Sequence, residues 1–487
     1  MPVTGTMAVV TTDHPYSPEA LSARHGPRYR WWVLLTVMLG TMASIMASTI
    51  VNVAVPDMSH VFSLGQERAQ WLSAGFMAAM TISMLLTPWL LERFGYRGTY
   101  CGAVALLMLG GVGGGVGWQI DWVLAMRAVE GLAAGVLQPI PAILILQTFE
   151  RHEQGKAMGV FGFGVVLAPA IGPSIGGVLV EAFGWRSIFF VVVPFCIAAL
   201  ALGWRFLPHA SPGGVPVNHH RRRLDVPGLL LLTVAVLSLL NGLVHLHDQA
   251  HALAAGLLLA FAAATVGFIV RQRRATHPMM QLALFGDHTY AWGNVVAFIY
   301  GMALFGSTYL VPVFMQIALK LPPSQAGAVL LPAGIVLAVT IPIAGRMADR
   351  FAFHRTLSAG VLLLALSFWL MITVGPGTAL VLITLWATVG RIGLGLVLPS
   401  LNLGAVRTLA PTQLPYGASG INFIRQLGGA VGISVVGIVL QWRLGVHADA
   451  PVRAFHETFF GVGAVCMLAV VAAWRMKPAP SGDNPGT

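Results

Sequence analysis

The sequence predicts an all-α membrane protein: fourteen transmembrane helices, arranged as two six-helix bundles with two further helices inserted between them. Three observations predict it. Hydrophobic residues make up 56% of the 487 and charged residues only 9%, against roughly 25% charge in an ordinary soluble domain, so lipid is the solvent this chain needs. Apolar runs of about 20 residues, the length that crosses a hydrocarbon core as a helix, recur along the chain. Two short motifs of the first half return in the second. A closed barrel, the other fold that satisfies every backbone group in lipid, would alternate apolar and polar residues along each strand. Nothing here alternates.

Apolar windows place six spans at 31–55, 69–91, 98–118, 121–146, 157–181 and 187–207. Two more, at 226–245 and 252–270, precede a second set at 290–317, 325–345, 356–374, 379–403, 417–441 and 457–474. The chain thus divides into a tail (1–30), a first bundle (31–207), a linker (208–225), the inserted pair (226–270), a second linker (271–289), a second bundle (290–474) and a tail (475–487). Residues 1–30 are too long and too mixed for a cleaved leader and are expected to remain as a cytoplasmic tail.

Basic residues orient the bundle. Connectors on the side of the N-terminus carry Arg221, Arg222 and Arg223, then Arg271, Arg273 and Arg274, whereas the opposite loops hold Arg68, Arg186, Lys320, Arg443 and Arg453. This bias puts both termini in the cytoplasm. The net charge of +11 is therefore dispersed over loops and forms no face for nucleic acid. Trp31, Trp32, Trp118, Trp122 and Trp185 stand at span ends, where amphipathic rings anchor. Cys101, Cys196 and Cys466 lie inside apolar runs and read as packing residues.

The repeat is specific. Glu92-Arg93-Phe94-Gly95-Tyr96-Arg97 follows the second span of the first set, and Asp349-Arg350-Phe351-Ala352-Phe353-His354 follows the second span of the second. Gly135-Val136-Leu137-Gln138-Pro139 is echoed by Gly395-Leu396-Val397-Leu398-Pro399, and both offsets are about 260 residues. Two halves in parallel orientation around a central cavity predict alternating access by rocking. In the loops, an acid suits the positive end of a neighbouring helix and an arginine the anionic inner leaflet. Glu92, Arg93, Gly95, Arg97, Asp349 and Arg350 are therefore read as conformational latches, with plain orientation by charge as the simpler role.

Arg127 falls inside a span, where a charge costs at least ~2.5 kcal/mol, so it should face a cavity or a partner. Glu130 shares its helix face at i+3. Protonating Glu130 would release Arg127, which makes the pair the candidate for proton coupling. A fixed ion pair holding helices together is the alternative. The coupling reading expects Arg127 to face a polar passage between the halves. Arg391 and Arg425 are the other charges placed well inside spans, away from their ends, and Asn52, Gln138, Gln316 and Asn422 join them as cavity candidates or as interhelical glue. Three arginines against one clear acid would favour anionic or neutral amphipathic cargo over dications. No metal site is expected, since His245, His247, Asp248 and His251 read as a solvated hairpin. The glycines from Gly110 to Gly117 lack the following Lys-Ser/Thr of a phosphate loop.

Ala168-Pro169-Ala170-Ile171-Gly172-Pro173-Ser174-Ile175-Gly176-Gly177 resembles the antiporter motif of proton-driven exporters, with Pro169, Gly172, Pro173, Gly176 and Gly177 carrying the likeness. Residues 91–97 resemble the signature loop of the major facilitator superfamily, Glu92 standing where Asp is usual. Arg127 matches the superfamily's membrane arginine associated with proton coupling. Thr49-Ile50-Val51-Asn52-Val53-Ala54-Val55-Pro56, Gly184-Trp185-Arg186-Ser187-Ile188-Phe189 and Arg425-Gln426-Leu427-Gly428-Gly429 are similar to the fourteen-span drug:proton antiporter group of the EmrB/QacA type. The resemblance runs from 31 to about 474. It implies a major facilitator fold in a bacterial inner membrane and proton-coupled efflux of small amphipathic drugs or toxic compounds. The proton gradient, worth ~2.3 kcal/mol per charge per 100 mV, would replace any cofactor. In double-membraned bacteria the resemblance also implies a periplasmic adaptor and an outer-membrane channel. An uptake or metabolite-exchange carrier on the same fold is the alternative; an enzyme or sensor would need a catalytic constellation or soluble domain that the sequence lacks. One departure bears on cargo: Ala47 stands where the group usually has an acid. Another is Val192, near the place of an expected asparagine before Pro194.

Overall fold

A computed structural model describes residues 18–210, 224–247 and 251–477. Arg221, Arg222, Arg223, Asp248 and both extreme ends of the chain lie outside the described residues. The first half contains α1 (Pro18–His25), α2 (Tyr29–Val61), α3 (Gln66–Met84), α4 (Thr87–Gly115), α5 (Ile120–Leu137), α6 (Ile140–Thr148), α7 (Gln154–Phe183), α8 (Ser187–Phe190) and α9 (Val192–Phe206). The inserted pair is α10 (Val226–His247) and α11 (His251–Arg274). The second half contains α12 (His288–Val313), α13 (Pro323–Arg350), α14 (Phe353–Met371), α15 (Leu380–Gly404), α16 (Leu414–Val446) and α17 (Pro451–Arg475). Among the described residues twelve helical segments are long and apolar enough to cross a membrane, with α5–α6 and α8–α9 each counting as one. The remaining two windows of the sequence reading, 69–91 and 157–181, fall on α3 and α7.

Local chemistry shifts several predicted boundaries. The window 121–146 is divided at Pro139, which offers no N–H and crowds the preceding turn. Its counterpart Pro399 sits inside an unbroken α15. The window 187–207 is divided at Val191, just ahead of Pro194. After Pro312, the window 290–317 finishes in a π-helical turn, Phe314–Ala318. The expected N-terminal tail contains α1, whose Leu21 is buried and whose His25 meets the rings of Tyr29 and Phe206.

The motif repeat is matched by a repeat of helix pairing. In the first half α2 packs on α7, α3 on α5, α4 on α5, and α9 on both α2 and α4. In the second, α12 packs on α16, α13 on α15, α14 on α15, and α17 on both α12 and α14. Each half is built on an apolar core, and the first of these also takes in Leu403, Ala418 and Phe423 of the second half. The halves meet along two equivalent seams, α7 with α13 and α3 with α16. The inserted pair adds Leu232, Val236 and Phe268 to the first core, and α10 touches both α3 and α16. Asp225 fastens the base of this pair, accepting from Arg271 Nε at 2.9 Å, Gln272 Nε2 at 3.0 Å and the Gly228 N–H at 3.2 Å.

One end of the bundle is a terminal face, where α2 begins and α17 stops. Arg30 pairs there with Glu153, and Trp474 meets the ring of His354 at 5.7 Å.

Candidate functional site

Between the halves lies a cavity of about 400 Å³, large enough to hold a small molecule. From the first half Thr41, Ser44, Ser48 and Thr49 of α2, Met77 and Met80 of α3, and Phe161 and Pro169 of α7 form its wall. The second half contributes Tyr300 and Phe305 of α12, Arg391 and Asn402 of α15, and Asn422, Arg425 and Gln426 of α16. No Asp or Glu is among these lining residues. Apolar rings and thioethers thus share one chamber with two guanidinium groups.

Four sequence candidates, Gln138, Arg391, Asn422 and Arg425, line this cavity. Asn52 and Gln316 do not. Asn52 sits farther along α2 toward the opposite end, where its Oδ1 accepts from Ser73 Oγ at 2.7 Å. Gln316 is exposed in the π-helical turn beyond α12. Sequence reasoning missed the hydroxyl row of α2. Its signal was there, because positions 41, 44, 48 and 49 follow the i, i+3, i+7, i+8 spacing of one helix face. Thr41 and Thr49 donate to carbonyls of their own helix, Val37 and Ile45, at 2.9 and 3.1 Å, which leaves their oxygen lone pairs toward the chamber.

The Arg127–Glu130 pair is elsewhere. Both side chains are fully buried within the first half, and neither lines the cavity, so the expectation that Arg127 faces the passage is corrected. Arg127 Nη1 donates to Glu130 Oε2 at 2.7 Å and to the Ala47 carbonyl at 3.0 Å, and Nε donates to the Leu72 carbonyl at 3.0 Å. Its guanidinium carbon lies 4.4 Å from the Phe76 ring centre. Glu130 fits against α4 only because Gly110 and Gly111 carry no Cβ. The pair therefore ties α2, α3 and α5 together directly behind the wall, since Ser48 and Met77 adjoin Ala47 and Phe76 and face the chamber.

On the terminal face the two predicted latch loops cross between halves through their acids. Asp349 accepts the N–H groups of Gly155 and Lys156, at 2.6 and 2.7 Å, and so caps the first turn of α7. The Tyr416 hydroxyl donates to Glu92 Oε1 at 3.0 Å. The basic members behave differently: Arg93 covers the rings of Trp89 and Phe94 beside it, while Arg97 Nε donates to the Leu207 carbonyl at 3.0 Å. Arg350 is exposed. Gly95 has φ +69°, a left-handed conformation that explains a glycine in this loop. Near Asp349, burial and the proximity of Arg151 hold the Arg407 guanidinium below the usual arginine range, an effect that Asp349 opposes.

In the antiporter string, α7 runs unbroken from Gln154 to Phe183. Pro169 reaches the cavity, and a Cβ at Gly172 or Gly176 would press on Thr49 or Ile50 of α2. This glycine pair at i, i+4 lets α7 approach α2 closely. Gly177 faces open space, and the Pro173 side chain lies outside the described residues. Among the described residues no cluster of His, Cys, Asp and Glu could hold a metal ion.

Comparison with known proteins gives these features a family. The model of the Major Facilitator Superfamily matches residues 37–433 and 294–487. The tetracenomycin C resistance and export protein of Streptomyces glaucescens is 30% identical over 443 residues, covering 90% of this chain and 81% of that protein. The methylenomycin A resistance protein of Streptomyces coelicolor is 27% identical over 445 residues, 91% of each. Among solved structures, the proton:xylose symporter XylE superposes with a TM-score of 0.66 at 15% identity, covering 92% of this chain and 96% of that one. With two pseudo-equivalent bundles around a shared chamber and a match across nearly its whole length, the chain belongs to the major facilitator superfamily of membrane transporters.

Proposed function

We propose that this protein is a proton-coupled secondary active exporter of small amphipathic molecules. In this reading it works by alternating access in a bacterial cytoplasmic membrane, with its terminal face on the cytoplasmic side. We also propose that α3 and α7 cross with the twelve apolar segments, giving the fourteen spans of the drug:proton antiporter group. The observation that carries the reading is the chamber walled by both halves, with Asp349 and Glu92 bridging the halves on the terminal face. Such a chamber is closed to one side by contacts that must break for cargo to enter from it. Names of relatives that carry resistance and export speak for the outward direction.

Proton coupling is assigned to Glu130. Protonation would remove the charge that compensates Arg127 and leave a buried cation among two carbonyls and a ring, a state that favours rearrangement of α2 and α3. In a double-membraned host a periplasmic adaptor and an outer-membrane channel would receive the cargo. The test is a toxicity panel in a pump-deficient host, comparing the wild type with Arg127→Ala, with and without a proton uncoupler. Resistance lost under both perturbations supports the reading; resistance that persists in all arms overturns it, and accumulation of the compounds would indicate uptake.

A further inference from the structure

Resting on the exporter reading, we propose that the cargo of this chamber is an amphipathic organic anion whose charged oxygens are held by Arg391 and Arg425. Both arginines line the same cavity, and no carboxylate does. Arg425 Nη2 donates only to a neutral partner, Asn422 Oδ1 at 2.8 Å, and its Nε is buried without a partner. Tyr300 lines the same cavity, and its hydroxyl donates to the Leu394 carbonyl at 3.3 Å.

Elsewhere several buried or half-buried arginines of the chain are compensated by acids. Arg127 has Glu130, Arg30 has Glu153, and Arg443 has Glu457. A pair of guanidinium groups facing a chamber with no acid in its lining departs from that arrangement where a ligand can bring the missing charge. Low dielectric around the pair strengthens its attraction for an incoming anion, and the planar forks match a carboxylate in bidentate fashion. A free inorganic anion would use only the guanidinium groups. Phe161 and Phe305, with Met77 and Met80, line the same chamber beside the hydroxyl row of α2, and they suit an aromatic or aliphatic body attached to the charge. Gln426 lines it too, with its amide nitrogen 3.3 Å from the Met77 sulfur, a weak acceptor that a cargo oxygen would displace.

Purified full-length protein in lipid nanodiscs is titrated with naphthalene-2-carboxylate, its methyl ester, 2-naphthylmethylammonium and acetate, with binding read by equilibrium dialysis and thermal shift. The carboxylate should bind at least about tenfold more tightly than each of the other three. Equal binding of the ester or the ammonium overturns the charge assignment; equal binding of acetate overturns the amphipathic one. Arg391→Gln and Arg425→Gln should each remove that preference while ester binding is kept. Asn422→Asp retains both arginines and sets a carboxylate beside Arg425, so it should remove the preference even where an arginine variant fails to fold; undiminished carboxylate selectivity in it overturns the proposal. Binding needs no proton gradient, so the two readings separate. Selective carboxylate binding without energised efflux sinks only the exporter, and energised efflux with charge-blind binding sinks only the anion.

Discussion

Asp349 of the second half caps the helix that begins beside Gly155 of the first, accepting its N–H at 2.6 Å and that of Lys156 at 2.7 Å. A charged cap between two rigid bodies acts on their relative position, because the α7 dipole and its free N–H groups are satisfied only when the bodies are together. Asp349→Asn keeps the shape and loses the charge. The charge at such a cap contributes ~0.3–1 kcal/mol, so the population open at the terminal face should rise about 2–5-fold. Spin-label distances between the terminal ends of α7 and α13 measure this directly, and an unchanged distribution would mean that the cap does not govern closure.

Behind the cap the backbones touch. A Cβ on Gly345 would collide with the Gly155 carbonyl and come within 2.7 Å of the Gly159 Cα, and main chain cannot rotate aside. Gly345→Ala should therefore keep the terminal face from closing and cut export at least about tenfold, with binding of cargo added from that side retained. Full export by this variant would show that the seam tolerates a wider spacing.

How far the sequence alone reaches is clear from particular residues. Span length and the repeat were legible, because hydrocarbon thickness and helix rise set them, and the equivalent pairings of α2–α7 and α12–α16 follow the same duplication. The Arg127–Glu130 contact was legible from its i, i+3 spacing. Its position behind the wall was not, since one helix's pattern shows which residues share a face but not which neighbour that face meets. Asn52 and Gln138 have equal polarity, yet only Gln138 lies at the depth of the chamber. The tyrosine that meets Glu92 is distant by more than 300 positions, and no local pattern announces it.

The inserted pair gives an independent test of packing. Asp225→Ala removes the acceptor for Arg271, Gln272 and the Gly228 N–H, and buried donors left without partners cost about 1–3 kcal/mol. Thermal stability in nanodiscs should fall by that amount and the connector after α11 should become more sensitive to protease, while the chamber keeps its ligand affinity. A variant as stable as the wild type would show that α10 and α11 are held by their apolar faces alone.

The buried pair behind the chamber separates stability from coupling. Arg127→Ala strands the Glu130 carboxylate and Glu130→Gln strands the guanidinium, so each single change should destabilise the fold by ~3–5 kcal/mol. Joining Arg127→Met with Glu130→Leu removes both charges, fills similar volume and should restore most of that stability. If the pair only fastens α2, α3 and α5, the restored protein will export as before. If Glu130 carries the proton, it will fold, bind cargo and exchange it down a gradient, yet fail to accumulate it against one when a proton gradient is imposed on proteoliposomes. Uphill transport by the double variant with the wild-type proton dependence would remove Glu130 from the mechanism.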